Sequence, residues 1–228
     1  MAKIERIVLN IPHASPVLPF GRSGWEEGIE AEIVRWTDWY TDWLFASLSL
    51  MDPRIYPIIY PFSRFFCDVE RLEDDPLEAI GQGIIYERFV NLKRSISEEE
   101  RVFAMRSYEE HHGRLQRAIS GEETLLVDCH SFPSDHSDVD ICIGVNDDSS
   151  RPDELLLEMV LERLRKKGYH TEINAPYANS VAPDCQSPYQ SLMIEVNKGI
   201  YMNGDSMMDI VSAQRLRKAL EEVLIATL

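Results

Sequence analysis

Strand and helix signals alternate along almost the whole chain, and this alternation limits the fold more than any other feature of the sequence. Short apolar runs, such as residues 4–12 and 124–130, are followed by segments whose apolar residues recur at helical spacing. Such an alternation favours an α/β fold, in which helices cover both faces of a sheet. We therefore predict a three-layer α/β/α sandwich with a mixed, mostly parallel sheet, and a single domain over residues 1–228.

The boundaries of the elements follow from the same patterns. Strands are predicted at residues 4–12, 55–61, 65–69, 124–130, 140–145, 170–174 and 191–197. Helices are predicted at about 26–50, 97–119, 152–168 and 207–227. Ser97 and Glu100 form a capping box for the second of these helices, and Gly121 follows its end.

The composition indicates a soluble protein with a large negative charge. No apolar run approaches the roughly 20 residues that a membrane span needs. The N-terminus enters a strand directly and lacks the features of a signal peptide, so we expect a cytoplasmic protein. The net charge of −16 argues against nucleic acids and anionic membranes as partners. The four cysteines show no CxxC spacing, which favours reduced thiols over a structural zinc site.

Three predicted strands end in residue types that bind metals or transfer protons. His13 follows the first strand, His130 ends the strand at 124–130, and Glu195 lies near the end of the strand at 191–197. Ligands of open α/β sheets bind beyond the carboxyl ends of the strands, so we expect these side chains to converge. A carboxylate inside an apolar strand needs a cation, a hydrogen-bond network or a catalytic role. Unrelated polar residues at three strand ends are the alternative.

Two histidines with a carboxylate favour zinc, which a catalytic site holds through three protein ligands and one open position. Asp38 and Asp42, four residues apart on one predicted helix, are the candidates for the third ligand, although either could be an ordinary exposed acid. A serine-hydrolase triad of Asp128, His130 and Ser131 is disfavoured. No GxSxG turn is present, and consecutive residues of a strand point to opposite faces.

Eight segments, spread over most of the chain, follow the motif order of one known family. They are NIPHAS, TDW, SRFFCDVER, YEEHHGRL, VDCHSF, DICIG, NAPYANS and QSLMIEVNKGIYMN. In this order they resemble the N-formylglutamate amidohydrolase family, whose fold is related to that of the zinc carboxypeptidases. The chain departs from the family pattern in DVER, where Glu70 stands in place of the usual Asn, in PHAS, which replaces PHSG, and in NAPYANS, which lacks the following glycines.

The resemblance implies one zinc ion per chain and a role for individual residues. Three residues resemble the metal ligands: His13, Asp38 and His130. Glu195 corresponds to the carboxylate that acts on the metal-bound water. Three further residues match substrate-binding positions: Arg64, Arg71 and His112. For the two arginines, salt bridges to nearby acids are the alternative: Asp68, Glu70 or Glu73. For His112, the alternative is a histidine on the helix surface. The remaining histidines are interpreted as surface residues: His111, His136 and His170.

The function implied by the resemblance is zinc-dependent hydrolysis of the amide bond of a small N-acyl amino acid. N-formyl-L-glutamate, cleaved to formate and glutamate in histidine degradation, is the first candidate substrate. Zinc would lower the pKa of its bound water to about 7, and Glu195 would act as general base and then as general acid. The alternatives are a zinc carboxypeptidase-like peptidase and a non-catalytic binding protein on the same fold.

Overall fold

A six-stranded sheet forms the centre of the computed structural model. The structure describes residues 3–72, 75–119, 123–185, 187–204 and 206–228. In chain order, the strands are β1 (Arg6–Ile11), β2 (Ile55–Ile59), β3 (Arg88–Phe89), β4 (Leu92–Lys93), β5 (Thr124–Phe132), β6 (Ile141–Gly144), β7 (Thr171–Ile173), β8 (Gln190–Asn197), β9 (Met202–Asn203) and β10 (Met207–Met208). The helices are α1 (Ile29–Trp36), α2 (Thr41–Phe45), α3 (Glu98–Ala118), α4 (Glu154–Lys166) and α5 (Ile210–Ile225).

The sheet is mixed and mostly parallel, as the sequence predicts. Its strand order is β2-β1-β5-β8-β6-β7, and β8 against β6 is its one antiparallel pair within the described residues. The short hairpins β3-β4 and β9-β10 lie outside this sheet. Strand β8 therefore lies between β5 and β6, which are consecutive along the chain.

Helices pack on both faces of the sheet, which confirms the three-layer sandwich. On one face, α2, α4 and α5 cover a large apolar cluster that includes Leu9, Val127 and Ile194. On the other face, Leu115 of α3 packs near Leu126 of β5. Because adjacent residues of a strand point to opposite faces, each central strand contributes to both cores. No helix in the described part of the chain has the length and apolar character to cross a membrane.

The capping signals locate the long helices well. Ser97 accepts a hydrogen bond from the backbone of Glu100, and the Glu100 side chain accepts from the backbone of Ser97, so the predicted capping box begins α3. Gly121, which was expected to follow the end of this helix, lies outside the described residues. The helices at 152–168 and 207–227 are confirmed as α4 and α5.

Two predicted elements are wrong. The helix at 26–50 is broken between α1 and α2, where Tyr40 has a left-handed backbone with φ of 67°. The break is associated with a contact distant in sequence, because the backbone N–H of Asp38 donates to the carbonyl of His13 rather than to its own helix. The strand at 65–69 is a series of turns, in which the backbone N–H of Asp68 donates to the carbonyl of Ile84.

Candidate active site

The carboxyl ends of three neighbouring strands carry the candidate site. His13 follows β1, and His130 on β5 is paired in register with Glu195 on β8. The rings of His13 and His130 lie 5.1 Å apart, and both side chains are buried. The predicted convergence of these three residues is therefore confirmed, because parallel strands end at the same edge of a sheet.

The ring of His13 is oriented by a carboxylate. Its Nε2 lies 2.8 Å from Oδ1 of Asp68, and Asp68 also accepts a hydrogen bond of 2.6 Å from the hydroxyl of Tyr86. The Nδ1 atom faces the centre of the site, where the guanidinium of Arg64 contacts it. Burial and the charge of Arg64 lower the pKa of His13 to about 4. His13 is therefore neutral near pH 7, the form in which imidazole binds metals.

His130 has carboxylates on both sides of its ring. Its Nδ1 lies 3.0 Å from Oδ2 of Asp38, and its Nε2 lies 2.9 Å from Oε1 of Glu70 and 3.2 Å from Oδ1 of Asp128. Burial acts to lower the pKa of His130, but the charges of Glu70 and Asp128 outweigh it and raise the pKa well above its usual value. This concentration of negative charge would be balanced by a cation at the site.

One set of ligand atoms in the described residues could hold a metal ion. The set comprises one atom each from His13, Glu70 and His130, all within 4.8 Å of one another. Two imidazoles and one carboxylate form a donor set that suits zinc and leaves a position open. In this arrangement the other ring nitrogens contact Asp68 and Asp38, which is how carboxylates usually orient metal-binding histidines.

Glu70 was not predicted as a metal ligand from the sequence. It lies in a turn, where the sequence has no periodic pattern. The one indication of its role is that it places a carboxylate at a position where the family usually has Asn. Asp38 lies beside both histidines, with Oδ2 3.8 Å from Nδ1 of His13, so its role as a ligand stays a prediction. The alternative candidate, Asp42, is exposed and caps the backbone N–H of Trp43.

Glu195 has the environment of a proton acceptor. Its side chain is buried, and Oε2 has no hydrogen-bond partner within the described residues. Burial raises the pKa of Glu195 to about 7. A carboxylate with this pKa can accept and return a proton near neutral pH, which is the requirement for a general base that later acts as an acid.

The two predicted arginines lie in different surroundings. Arg64 contacts His13 at the centre of the site, and no carboxylate forms a salt bridge with it among the described residues. Arg71 lies 3.6 Å from Asp68 and 3.4 Å from Asp75, so it forms a salt bridge to one of the acids named as an alternative, and its substrate contact stays a prediction. Glu73, another proposed partner, lies outside the described residues.

The helix histidines differ from expectation. His112 donates through Nε2 to the carbonyl of Val69 at 2.8 Å, so it supports the turn that carries Glu70, and its substrate contact stays a prediction. His111, interpreted as a surface residue, is 2% exposed, and that interpretation is wrong. His136 and His170 are exposed, as expected.

A cavity of about 440 Å³, lined by the Glu70 and Asp128 carboxylates that contact His130, lies between the turn that holds Glu70 and the segment at 178–182. Its charged lining contains four carboxylates and one guanidinium: Glu70, Asp75, Asp128, Asp148 and Arg71. The segment is held in place where the backbone N–H of Val181 donates to Asp128 at 3.0 Å. Negative groups thus predominate in this cavity, and its one guanidinium is already paired.

Comparisons with known proteins identify the family and the fold. Residues 5–202 match the family described as N-formylglutamate amidohydrolase. The fold is similar to the crystal structure of N-formylglutamate amidohydrolase from Ralstonia eutropha JMP134, with 20% identity, 99% of this chain and 93% of that chain covered, and a TM-score of 0.79. It is also similar to a gene product from Agrobacterium tumefaciens, with 17% identity, 99% and 91% coverage, and a TM-score of 0.72. A search of curated proteins gives no significant match.

Proposed function

The chain belongs to the N-formylglutamate amidohydrolase family, and from this premise we propose that it is a zinc-dependent amidohydrolase of small N-acyl amino acids. N-formyl-L-glutamate, hydrolysed to formate and glutamate, is the proposed substrate. The observation that carries the proposal is the proximity of His13, Glu70 and His130 beside a buried Glu195. The proposal includes a cytoplasmic location and a part in histidine degradation.

The zinc ion would be held by His13 and His130 with one carboxylate. Glu70 is the proposed third ligand, because one of its oxygens lies near a nitrogen of each histidine. Asp38 would then fix the ring of His130 from the opposite side. The resemblance instead implies Asp38 as the ligand, and metal titration of variants distinguishes the two assignments. A bound zinc ion supplies Lewis acidity, which activates water and polarises the amide carbonyl.

Glu195 would move the proton during the reaction. Its free Oε2 accepts a proton from the attacking water, whose oxygen forms a bond to the acyl carbon. The same proton is then transferred to the nitrogen of the leaving amine as the C–N bond breaks, so that water is added across the amide. The guanidinium of Arg64 brings positive charge to the centre of the site, where negative charge develops on the acyl oxygen.

The two arginines of the site would recognise the carboxylates of the substrate. A dicarboxylate such as N-formylglutamate would use both Arg64 and Arg71, whereas Arg71 already contacts Asp68 and Asp75. The proposal therefore requires the substrate to compete with these acids for Arg71. This competition is measurable, since a bidentate guanidinium contact is not reproduced by lysine.

Steady-state kinetics with three substrates tests the proposal. We expect the zinc-loaded protein to hydrolyse N-formylglutamate faster than N-formylmethionine or a C-terminal dipeptide, and Arg71→Lys to raise KM for N-formylglutamate. Arg88→Lys, an exposed arginine outside the site, serves as the matched control. Preference for the dipeptide would favour the carboxypeptidase-like alternative. Absence of hydrolysis by a protein that binds zinc would favour a non-catalytic binding protein.

A further inference from the structure

A second cavity, separate from the one lined by Glu70 and Asp128, lies between α3 and the segment that follows β2. Its volume is about 420 Å³, within the range of small-molecule sites. One wall is aromatic, with the ring centroids of Tyr60 and Phe62 5.8 Å apart and those of Phe62 and Phe103 5.7 Å apart. We name this cavity the α3 cleft.

The residues that α3 contributes to the α3 cleft form a single stripe along the helix. Phe103, Arg106, Glu110, His111 and Arg114 all line it, and their spacing places them on one face of the helix. Arg106 and Arg114 are exposed, and neither has a carboxylate partner among the residues that the structure describes. In a chain of net charge −16, two unpaired guanidiniums against one carboxylate give the cleft a local positive charge.

His111 at the inner end of the cleft has a defined tautomer. The amide nitrogen of Asn10 donates to Asp128 at 2.8 Å, so the amide oxygen of Asn10 faces His111 and must accept from its Nε2 at 2.8 Å. Burial and the adjacent His112 lower the pKa of His111 to about 3, so the ring is neutral. A neutral imidazole that donates through Nε2 has an acceptor lone pair on Nδ1.

The Nδ1 atom of His111 is buried and has no hydrogen-bond partner within the described residues. An unsatisfied buried acceptor costs about 1–3 kcal/mol, so native structures usually satisfy it. A ligand that satisfies it must donate a hydrogen bond. A carboxylate alone cannot do so, because it only accepts.

We propose that the α3 cleft is a second ligand site, for a small aromatic molecule that carries a hydroxyl group and a carboxylate. The hydroxyl would donate to His111, the ring would pack against Tyr60, Phe62 and Phe103, and the carboxylate would bind Arg106 and Arg114. The Nδ1 atom of His111 has no hydrogen-bond partner in the described residues, and Phe103, Arg106 and Arg114 are exposed, so each part of the ligand has a feature of the cleft to contact. This site does not depend on the proposed zinc chemistry.

Calorimetric titration with three matched probes tests the proposal on the whole chain. 4-Hydroxyphenylacetate has both polar groups, phenylacetate lacks the hydroxyl, and 2-(4-hydroxyphenyl)ethanol lacks the carboxylate. We expect saturable binding of 4-hydroxyphenylacetate and at least tenfold weaker binding of each of the other two. No saturable binding of 4-hydroxyphenylacetate at millimolar concentration would overturn the proposal, as would equal affinity for all three probes.

Variants of exposed residues locate the site without disturbing the core. The double variant Arg106→Gln with Arg114→Gln is expected to weaken binding of 4-hydroxyphenylacetate at least tenfold and to leave 2-(4-hydroxyphenyl)ethanol unchanged. Arg117→Gln, one turn further along α3 and outside the cleft, is the control and should bind as wild type does. Equal effects of the double variant and the control would overturn the assignment, as would displacement of the probe by N-formylglutamate.

Discussion

Asp38 and Glu70 contact opposite nitrogens of one imidazole ring, at 3.0 Å from Nδ1 and 2.9 Å from Nε2 of His130. Only one of the two nitrogens can bind a given metal ion, and the carboxylate on the other side then accepts its N–H. In the proposed metal site, the two carboxylates would therefore have different roles, although both are acids beside the same histidine. Removing each in turn separates the ligand from the orienting residue.

Glu70→Gln should weaken zinc binding more than Asp38→Asn does. Loss of a ligand removes a metal bond, whereas loss of an orienting carboxylate typically costs about 10–100-fold in metal affinity. Competition with a chromophoric chelator measures both dissociation constants, and Asp42→Asn, which is exposed, should leave zinc binding unchanged. If Asp38→Asn has the larger effect, Asp38 is the ligand, as the family resemblance implies.

Glu195→Gln should lower kcat by about 10²–10⁴-fold, because the amide cannot accept the proton of water. Zinc content and thermal stability should stay near those of wild type. In the wild-type enzyme, kcat/KM should fall as the pH decreases below about 7, where Glu195 becomes protonated. Glu172→Gln, on the exposed edge strand β7, is the control. Loss of zinc in Glu195→Gln would instead make Glu195 a ligand.

The buried His111 should make the fold sensitive to acid. Its pKa is about 3 in the folded chain, whereas an unfolded histidine has a pKa near 6.5. Between these two pH values the unfolded chain binds more protons than the folded chain does. The contribution of the neutral His111 to the free energy of unfolding is therefore complete above about pH 6.5 and is lost as the pH falls toward 3.

Denaturant unfolding between pH 7 and pH 4 measures this effect. The free energy of unfolding of His111→Gln should decrease less steeply than that of wild type, by up to about 1.4 kcal/mol per pH unit. His170→Gln removes an exposed histidine and should retain the wild-type slope. Parallel slopes for wild type and His111→Gln would contradict the buried, neutral state of His111.

Gly144→Ala should destabilise the fold and loosen the segment beside the site. A Cβ at this position would lie 2.1 Å from the backbone oxygen of Asn179, which cannot move as a flexible side chain can. Overpacking of this kind costs about 1–3 kcal/mol. Thermal unfolding measures the loss.

Gly113→Ala, in the interior of α3, provides the contrast. Its Cβ would meet only the flexible end of Arg117, at 3.1 Å, and alanine is favoured over glycine within a helix by about 1 kcal/mol. We expect Gly113→Ala to raise the melting temperature and Gly144→Ala to lower it. A change of the melting temperature in the same direction for both variants would show that the space around Gly144 does not limit the packing of the fold.

The positions of His13, His130 and Glu195 could be predicted from the sequence because each follows or ends a strand. The order of the parallel strands decides which strand ends lie together. The order of the family motifs implies the roles of the residues at these ends. Glu70 could not be predicted in this way, since it lies in a turn whose position depends on contacts distant in sequence, such as that of Asp68 with Ile84. The single-domain organisation stays a prediction.

The other errors have related causes. Helical periodicity continues through Asp38, but a hydrogen bond to His13, twenty-five residues earlier, ends the helix there. His111 is surrounded in sequence by polar residues, so its burial depends on how α3 packs against Asn10. Both features depend on tertiary contacts, which override local propensity.

The insertion of β8 between β5 and β6 has a consequence for how the chain is assembled. During synthesis β5 and β6 emerge long before β8, so they cannot complete the sheet until the strand that separates them has been made. Such non-local pairing slows folding and exposes unpaired strand edges meanwhile. Because β8 also carries Glu195, a ribosome-bound chain that ends before residue 190 lacks both the central strand and the proposed proton acceptor, and acquires them together.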